Sequence, residues 1–349
     1  MKQQDLFDVT VIGGGPAGLY STFYSGMREM KTKLIEYQPQ LGGKMHVYPE
    51  KMIWDIGALT PITGTQCIDQ LVQQGLTFQP EVVLNEKVEA ISRNSDGIFV
   101  LRTASGQKHY SKTVIVAVGG GILNPQKLDV ESAEKYEVAN LNYTVKHLHR
   151  FKDKTVIVSG GGNSAIDWAN ELEPIAKKVY VTYRKDALAG HEAQVSQLVK
   201  SSATCYLNTT ITRLIANQNQ DSVEHVELTN HETGEQVLLQ VDEVVINHGY
   251  ERDTSLLENS DLHISRAENY FIAGNTVSES SINGLYAAGD ILKHDGKVNL
   301  IAGAFQDAAN AVNKAKQFIH PDAEKDGMVS SHNDIFKTRN QELTKKMLN

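Results

Sequence analysis

The chain has 349 residues, 40% of them apolar and 22% charged, and a formal net charge of −8. That length exceeds what one core usually supports, so two domains are expected, and the acidic balance argues against general nucleic-acid binding. The longest apolar runs, such as Val114 to Val118, are far too short to span a bilayer, and the polar start Met1-Lys2-Gln3-Gln4-Asp5 does not read as a signal peptide, so a cytoplasmic protein without membrane contact is expected.

The first element is a β-branched run, Val9-Thr10-Val11-Ile12, that enters Gly13-Gly14-Gly15-Pro16-Ala17-Gly18. This is the strand-turn-helix fingerprint of a dinucleotide fold. Gly13 makes the tight turn, Gly15 lets backbone approach a pyrophosphate, and Gly18 lets helix pack on strand, with the anion at a helix N-terminus. The next strand, Thr32 to Ile35, ends in Glu36, where a carboxylate binds the hydroxyls of an unphosphorylated ribose and repels a 2′-phosphate. This half therefore suits FAD or NAD.

Pro39-Gln40-Leu41-Gly42-Gly43-Lys44 follows, either a plain loop or a second place where amides, at Gly43 and Lys44, approach a phosphate or a ribityl chain. Residues 64–79 carry Ile68, Leu71, Val72 and Leu76 at helical spacing. Val82 to Arg93, Gly97 to Ala104 and His109 to Val118 read as three strands, with Asn94-Ser95-Asp96-Gly97 as a hairpin turn. Val88, in the first of them, is assigned to the FAD site. Gly119-Gly120-Gly121 ends the third, as a bend or hinge.

A second fingerprint then opens, Val156-Ile157-Val158-Ser159 into Gly160-Gly161-Gly162-Asn163-Ser164-Ala165, with Ala165 to Ile175 as its helix. Two such turns imply two bound dinucleotides, with Gly160, Gly162, Asn163 and Ser164 facing the second. Its next strand, Lys178 to Tyr183, ends in Arg184-Lys185 where the acid would stand. Cations there match a 2′-phosphate, so NADP(H) is the expected ligand; the plainer alternative is a solvated strand end. Residues 192–200 look helical, Val223 to Asn230 pairs with Gln236 to Leu239, and Val241 to Asn247 is a buried strand ending at His248-Gly249.

There the chain crosses back. Ile282-Asn283-Gly284-Leu285-Tyr286-Ala287-Ala288-Gly289-Asp290 is an apolar strand ending in small residues and an acid, suited to complete the sheet begun at Val9. Asp290 then either accepts a ribityl hydroxyl of FAD or only caps the following segment. Leu300, Ile301, Ala304, Ala308, Ala311, Val312 and Ala315 mark a long helix whose N-terminus should face a flavin pyrimidine edge. The tail from Gly327 is polar. The expected fold is α/β with two Rossmann-like domains, a discontinuous FAD-binding domain of residues 1–119 and 249–349 and an inserted NADP-binding domain of residues 120–248.

Cys67 and Cys205 are the only cysteines, so no Cys-x-x-Cys dithiol exists. Both are expected to be structural thiols, and disulfide reduction through a flavin-adjacent dithiol is excluded. No metal site is expected.

The order of motifs, together with Leu41-Gly42-Gly43, Tyr48-Pro49-Glu50-Lys51, Ser164-Ala165-Ile166-Asp167-Trp168, His191-Glu192 and Gly296-Lys297-Val298-Asn299-Leu300, resembles the thioredoxin-reductase-like ferredoxin–NADP+ reductases over nearly the whole chain. The resemblance implies a thioredoxin-reductase-like fold and a homodimeric FAD enzyme passing electrons between NADPH and ferredoxin or flavodoxin. It implies that Tyr48 stacks on one flavin face and that His332, from the second subunit, covers the other. Residues by themselves would leave Tyr48 a core or surface tyrosine and His332 a solvated one. No side chain is needed as a nucleophile or acid, because the cofactor carries the chemistry.

The chain also departs from that family. Tyr183-Arg184-Lys185-Asp186 stands for His-Arg-Arg-Asp, with no arginine shortly after it, and Lys44 replaces a glutamine. Two other readings stand beside this one: a low-molecular-weight disulfide or quinone reductase, although Ala17 stands where one such relative carries cysteine, and a non-catalytic NADPH-sensing flavoprotein. An acidic ferredoxin would need a local cationic face, for which the densest candidates are Lys146 to Lys154, with Lys337 and Arg339 in the tail.

Overall fold

A computed structural model describes residues 6–59, 61–121 and 124–348; the polar start Met1–Asp5 lies outside the described residues. The chain forms two compact units, one of Met1–His46, Lys51–Gly121 and Arg252–Asn349, the other of Val47–Glu50 and Ile122–Glu251.

In the first unit the strand Leu6–Ile12 lies between Thr32–Ile35 and Lys108–Val116, and Glu81–Val83 extends the parallel order beyond Thr32–Ile35. Val9, Val11 and Leu34 are fully buried because helices and strands cover both faces of a parallel sheet. The long strand Lys108–Val116 uses its other edge twice. Its first half pairs antiparallel with Phe99–Thr103, and its second half pairs parallel with Leu285–Ala287, Leu285 opposite Val114. The late apolar strand thus joins the sheet begun near the start of the chain, as its sequence predicts.

The single strand expected over Val82 to Arg93 is two strands on different parts of this sheet, Glu81–Val83 and Val88–Arg93. Between them Asn85 takes φ of 57°, its N–H donates to Gln38 O at 3.2 Å, and that of Glu86 donates to Glu36 O at 3.1 Å. The chain is bent by partners contributed from the loop of Glu36 to Gln38, which local sequence does not display. The helix expected over 64–79 spans Gly64–Gly75, started by a capping box between Thr63 and Gln66.

The helix Pro16–Met27, with proline at its first turn, packs on the later helix Ile301–Ile319. Ala308, Ala311 and Ala315 have no exposed surface, so small side chains bring the two backbones together. The tail is not only polar loop: Lys337–Leu348 is helical and exposed, and Phe336 just before it lies 5.4 Å from the Phe78 ring. Among the described residues no helix is long and apolar enough to cross a membrane.

The second unit holds a five-stranded parallel sheet in the order Leu141–Asn142, Glu243–Ile246, Thr155–Ser159, Lys178–Tyr183, Thr204–Leu207. Its helices are Asn163–Leu172 and Glu192–Lys200. Val223–Asn230 and Gln236–Gln240 pair as expected, joined by an unpredicted third strand, Thr209–Ala216. Two register shifts interrupt that strand, and they break the alternation that would have marked it.

Candidate functional site

In the first unit Gly13 has φ of +106°, and a Cβ there would lie 2.4 Å from Ala117 O. A Cβ on Gly18 would lie 1.7 Å from Gly13 O, so helix and turn can close only on glycine. Pro16 then starts the helix directly after Gly15, and no side-chain hydrogen bond caps the helix N-terminus. Glu36 is 6% exposed; its Oε2 accepts the Gly14 N–H at 2.5 Å and its Oε1 the Gln38 N–H at 2.7 Å. Each oxygen keeps acceptor capacity for a sugar hydroxyl.

The loop of Leu41 to Lys44 lies against this turn. Gly42 N–H donates to Gly14 O at 2.8 Å, and a Cβ on Gly43 would come within 2.8 Å of Gly15 Cα. Lys44 Nζ reaches Asp290 Oδ2 at 2.5 Å, so the loop and the acid after the late strand meet directly. Gly13, Gly15, Gly18, Glu36, Gly43, Lys44 and Asp290 form one continuous cradle. Val88 is buried in the core with Ile12 and Ile35, where its side chain serves packing. His332 sits on an exposed turn, Ser330–His332, its Nδ1 3.3 Å from Ser331 Oγ.

Behind the cradle is a polar cluster that sequence reading missed. Asp307, 6% exposed, accepts the Gly289 N–H at 3.0 Å and a bond from Lys297 Nζ, and His294 Nε2 is 3.9 Å away. Asp307 backs the residue immediately before Asp290. A signal was present: Asp307 interrupts the small-residue stripe of Ala304, Ala308 and Ala311 on the buried face of its helix.

In the second unit Gly160 has φ of +143°, with Asn247 O 2.4 Å from where its Cβ would be. A Cβ on Gly162 would meet nothing within 4 Å, so the turn is open above that residue. Ala165 holds the place that Gly18 holds in the first turn. Asn163 and Ser164 are exposed at the helix start, and Asn163 Oδ1 accepts the His191 N–H at 2.8 Å. Ala189 N–H donates to Gly161 O at 2.7 Å, which folds the loop bearing exposed Arg184 and Lys185 back to the glycine turn. His248 Nε2 lies 2.8 Å from Ser159 Oγ.

Tyr48 belongs to this second unit, packed against the core that contains Phe151 and Trp168. Its segment is held by Glu50 Oε2, which accepts the Leu148 N–H at 2.8 Å. In the expected docking stretch, Lys146, Lys152 and Lys154 are exposed, but Arg150 Nε is 2.9 Å from Glu243 Oε1, and that carboxylate side chain is only 7% exposed. Arg150 therefore neutralises a buried acid. Cys67 and Cys205 are free, one in each unit, and burial pushes both thiols up.

The family model of the pyridine nucleotide-disulphide oxidoreductases matches residues 7–315. Over 348 residues the chain is 74% identical to ferredoxin–NADP reductase 1 of Bacillus mycoides strain KBAB4, covering 100% of both chains. It is 70% identical over 347 residues to ferredoxin–NADP reductase 1 of Bacillus licheniformis, covering 99% of both. Among solved structures, thioredoxin reductase of Lactococcus lactis is similar with a TM-score of 0.73 at 24% identity, over 90% of this chain and 99% of that one.

Proposed function

The chain belongs to the pyridine nucleotide-disulphide oxidoreductase family, and from that premise we propose that it is a ferredoxin–NADP+ reductase, a cytoplasmic homodimer that holds FAD in the first unit and NADP(H) in the second. The observation that carries this reading is the opposite charge at two equivalent strand ends: buried Glu36 beside the first glycine turn, exposed Arg184 and Lys185 beside the second. An acid selects a free ribose and a guanidinium a phosphomonoester. Full-length relatives named for this activity support the same assignment.

The residues present fit both groups. A side chain on Gly13 or Gly160 would strike backbone oxygen, so each turn keeps its amides bare, and Glu36 retains acceptor capacity for ribose. The chemistry supplied by bound FAD would be exchange of hydride with nicotinamide and of single electrons with a protein carrier. The chain's own work is to bind and to orient. Gly13 to Gly18 and the first turn of Pro16–Met27 hold pyrophosphate, Glu36 the adenosine ribose, Asp290 the ribityl chain, and Arg184 with Lys185 the 2′-phosphate. The stacking roles of Tyr48, and of His332 from a second copy, rest on the family resemblance. No thiol takes part, since Cys67 and Cys205 are burial-protonated and stand in different units.

Incubating the holoprotein with NADPH, a low-potential ferredoxin and cytochrome c as terminal acceptor tests the reading. Ferredoxin-dependent cytochrome reduction is expected. Slow turnover with every acceptor would instead favour a sensor, and turnover only with a small disulfide or quinone would favour the other reductase.

A further inference from the structure

His248 is an exposed residue, its ring partly desolvated, and a titratable group that the reading above leaves without a role. It follows the strand Glu243–Ile246, which pairs with Thr155–Ser159, and its Nε2 lies 2.8 Å from Ser159 Oγ, one residue before the second glycine turn. Asn247 N–H donates to Ser159 O at 2.8 Å, which fixes the backbone there. On the other edge of Thr155–Ser159, the strand Lys178–Tyr183 delivers Arg184. Three adjacent parallel strands thus bring Ser159, Arg184 and His248 to the same C-terminal edge, where ligands of such sheets bind. The charged group acting on the imidazole is Arg184. Burial first, and then that charge, hold His248 below the ordinary histidine range, so the ring is neutral near pH 7.

We propose that His248 is a proton-linked specificity residue of the second nucleotide site, taking up a proton when a ligand places a phosphomonoester at Arg184 and thereby becoming a second cation for that group. The proposal rests on the NADP(H) reading and deepens it. A bound dianion cancels the repulsion from Arg184 and attracts the proton itself, whereas NAD+, lacking the 2′-phosphate, does neither. Burial still opposes charge, so uptake is partial and confined to mildly acidic solution.

The test is calorimetric titration of the FAD-loaded protein with NADP+ and with NAD+, in two buffers of different ionisation enthalpy, at about pH 6.5 and about pH 8. A phosphomonoester titrates near pH 6 and sheds its own proton on meeting a cation. The readout is therefore wild type minus His248→Gln, a variant that keeps a polar side chain for Ser159. At about pH 6.5 wild type should take up on the order of half a proton more per NADP+ than the variant, with no difference for NAD+ or at about pH 8. Should the variant not fold, the His248 ring resonance in the labelled wild-type protein is followed against pH, and its midpoint should rise when NADP+ is bound. Equal proton counts in the two proteins, or an unmoved midpoint, overturn the assignment to His248 while leaving a preference for NADP+ intact. If NADP+ binds no tighter than NAD+ at about pH 8, the NADP(H) reading itself fails, and this inference with it.

Discussion

Lys44 Nζ stands 2.5 Å from Asp290 Oδ2, an ion pair that joins the loop beyond Glu36 to the turn beyond the last strand of the sheet. Lys44 therefore does not present a bare cation to the proposed flavin site; it neutralises the acid proposed to meet the ribityl chain. Lys44→Gln leaves that carboxylate unpaired and disfavours a reduced, anionic flavin. The side chains are 39% and 26% exposed, so solvent screening limits the effect to about 0.5–1 kcal/mol. For a two-electron couple that is roughly 10–20 mV. Potentiometric titration should find the variant's midpoint lower, and an unchanged or higher value would contradict the role.

Asp307 and Lys297 form a second pair, with side chains only 8% and 5% exposed. Asp307→Ala strands a buried ammonium and should cost about 3–5 kcal/mol in urea unfolding. Adding Lys297→Met removes that ammonium and should recover much of the loss. A double variant no more stable than the single one would show that the Gly289 bond, and not the charge, is what matters.

Arg184→Gln should weaken NADPH binding by roughly 1.5–3 kcal/mol, the worth of a charge-assisted hydrogen bond, with little change for NADH. Equal losses for both nucleotides, measured by quenching of flavin fluorescence, would refute a 2′-phosphate contact.

Docking of an acidic ferredoxin is tested with Lys146, Lys152 and Lys154, exposed lysines of their stretch. Reversing all three to glutamate should raise the apparent KM for ferredoxin and blunt its salt dependence, while reduction of neutral quinones is unaffected. Arg150 is unsuitable for that test. Arg150→Glu opposes buried Glu243 and should lower stability by roughly 1.5–3 kcal/mol. An unaltered KM in the lysine variant would shift attention to Lys337 and Arg339 on the tail helix.

His109 offers a pH prediction. Lys33 Nζ lies 3.1 Å from His109 Nδ1, and an ammonium can only donate, so the ring accepts there and is neutral. Burial, then Lys33, lower its affinity for protons. The unfolded chain thus binds more protons at this site, and the stability it confers is present above about pH 6.5 and lost as pH falls towards the folded value. His109→Gln should flatten the fall in unfolding free energy between about pH 7 and pH 5. An identical slope in both proteins would show that His109 does not govern it.

Much of this protein is written in local sequence. The two glycine turns need no distant partner to be recognised, since tight backbone approach admits only small residues, and the acid or cation closing the next strand follows at fixed spacing. The late strand Leu285–Ala287, with Asp290 just beyond it, was legible because its apolar run and small residues are local too. What tertiary structure decided are matters of pairing. One apolar run became Glu81–Val83 and Val88–Arg93 because bonds to Gln38 and Glu36 bend it. Arg150, though exposed, is paired because Glu243 is buried beside it. Lys44 met Asp290, and Asp307 met Gly289 and Lys297, across separations that periodicity cannot span. Charge and hydrogen-bond partners are set by which residues the fold buries together, and a linear pattern records a residue's own preference for burial, not the neighbour that satisfies it.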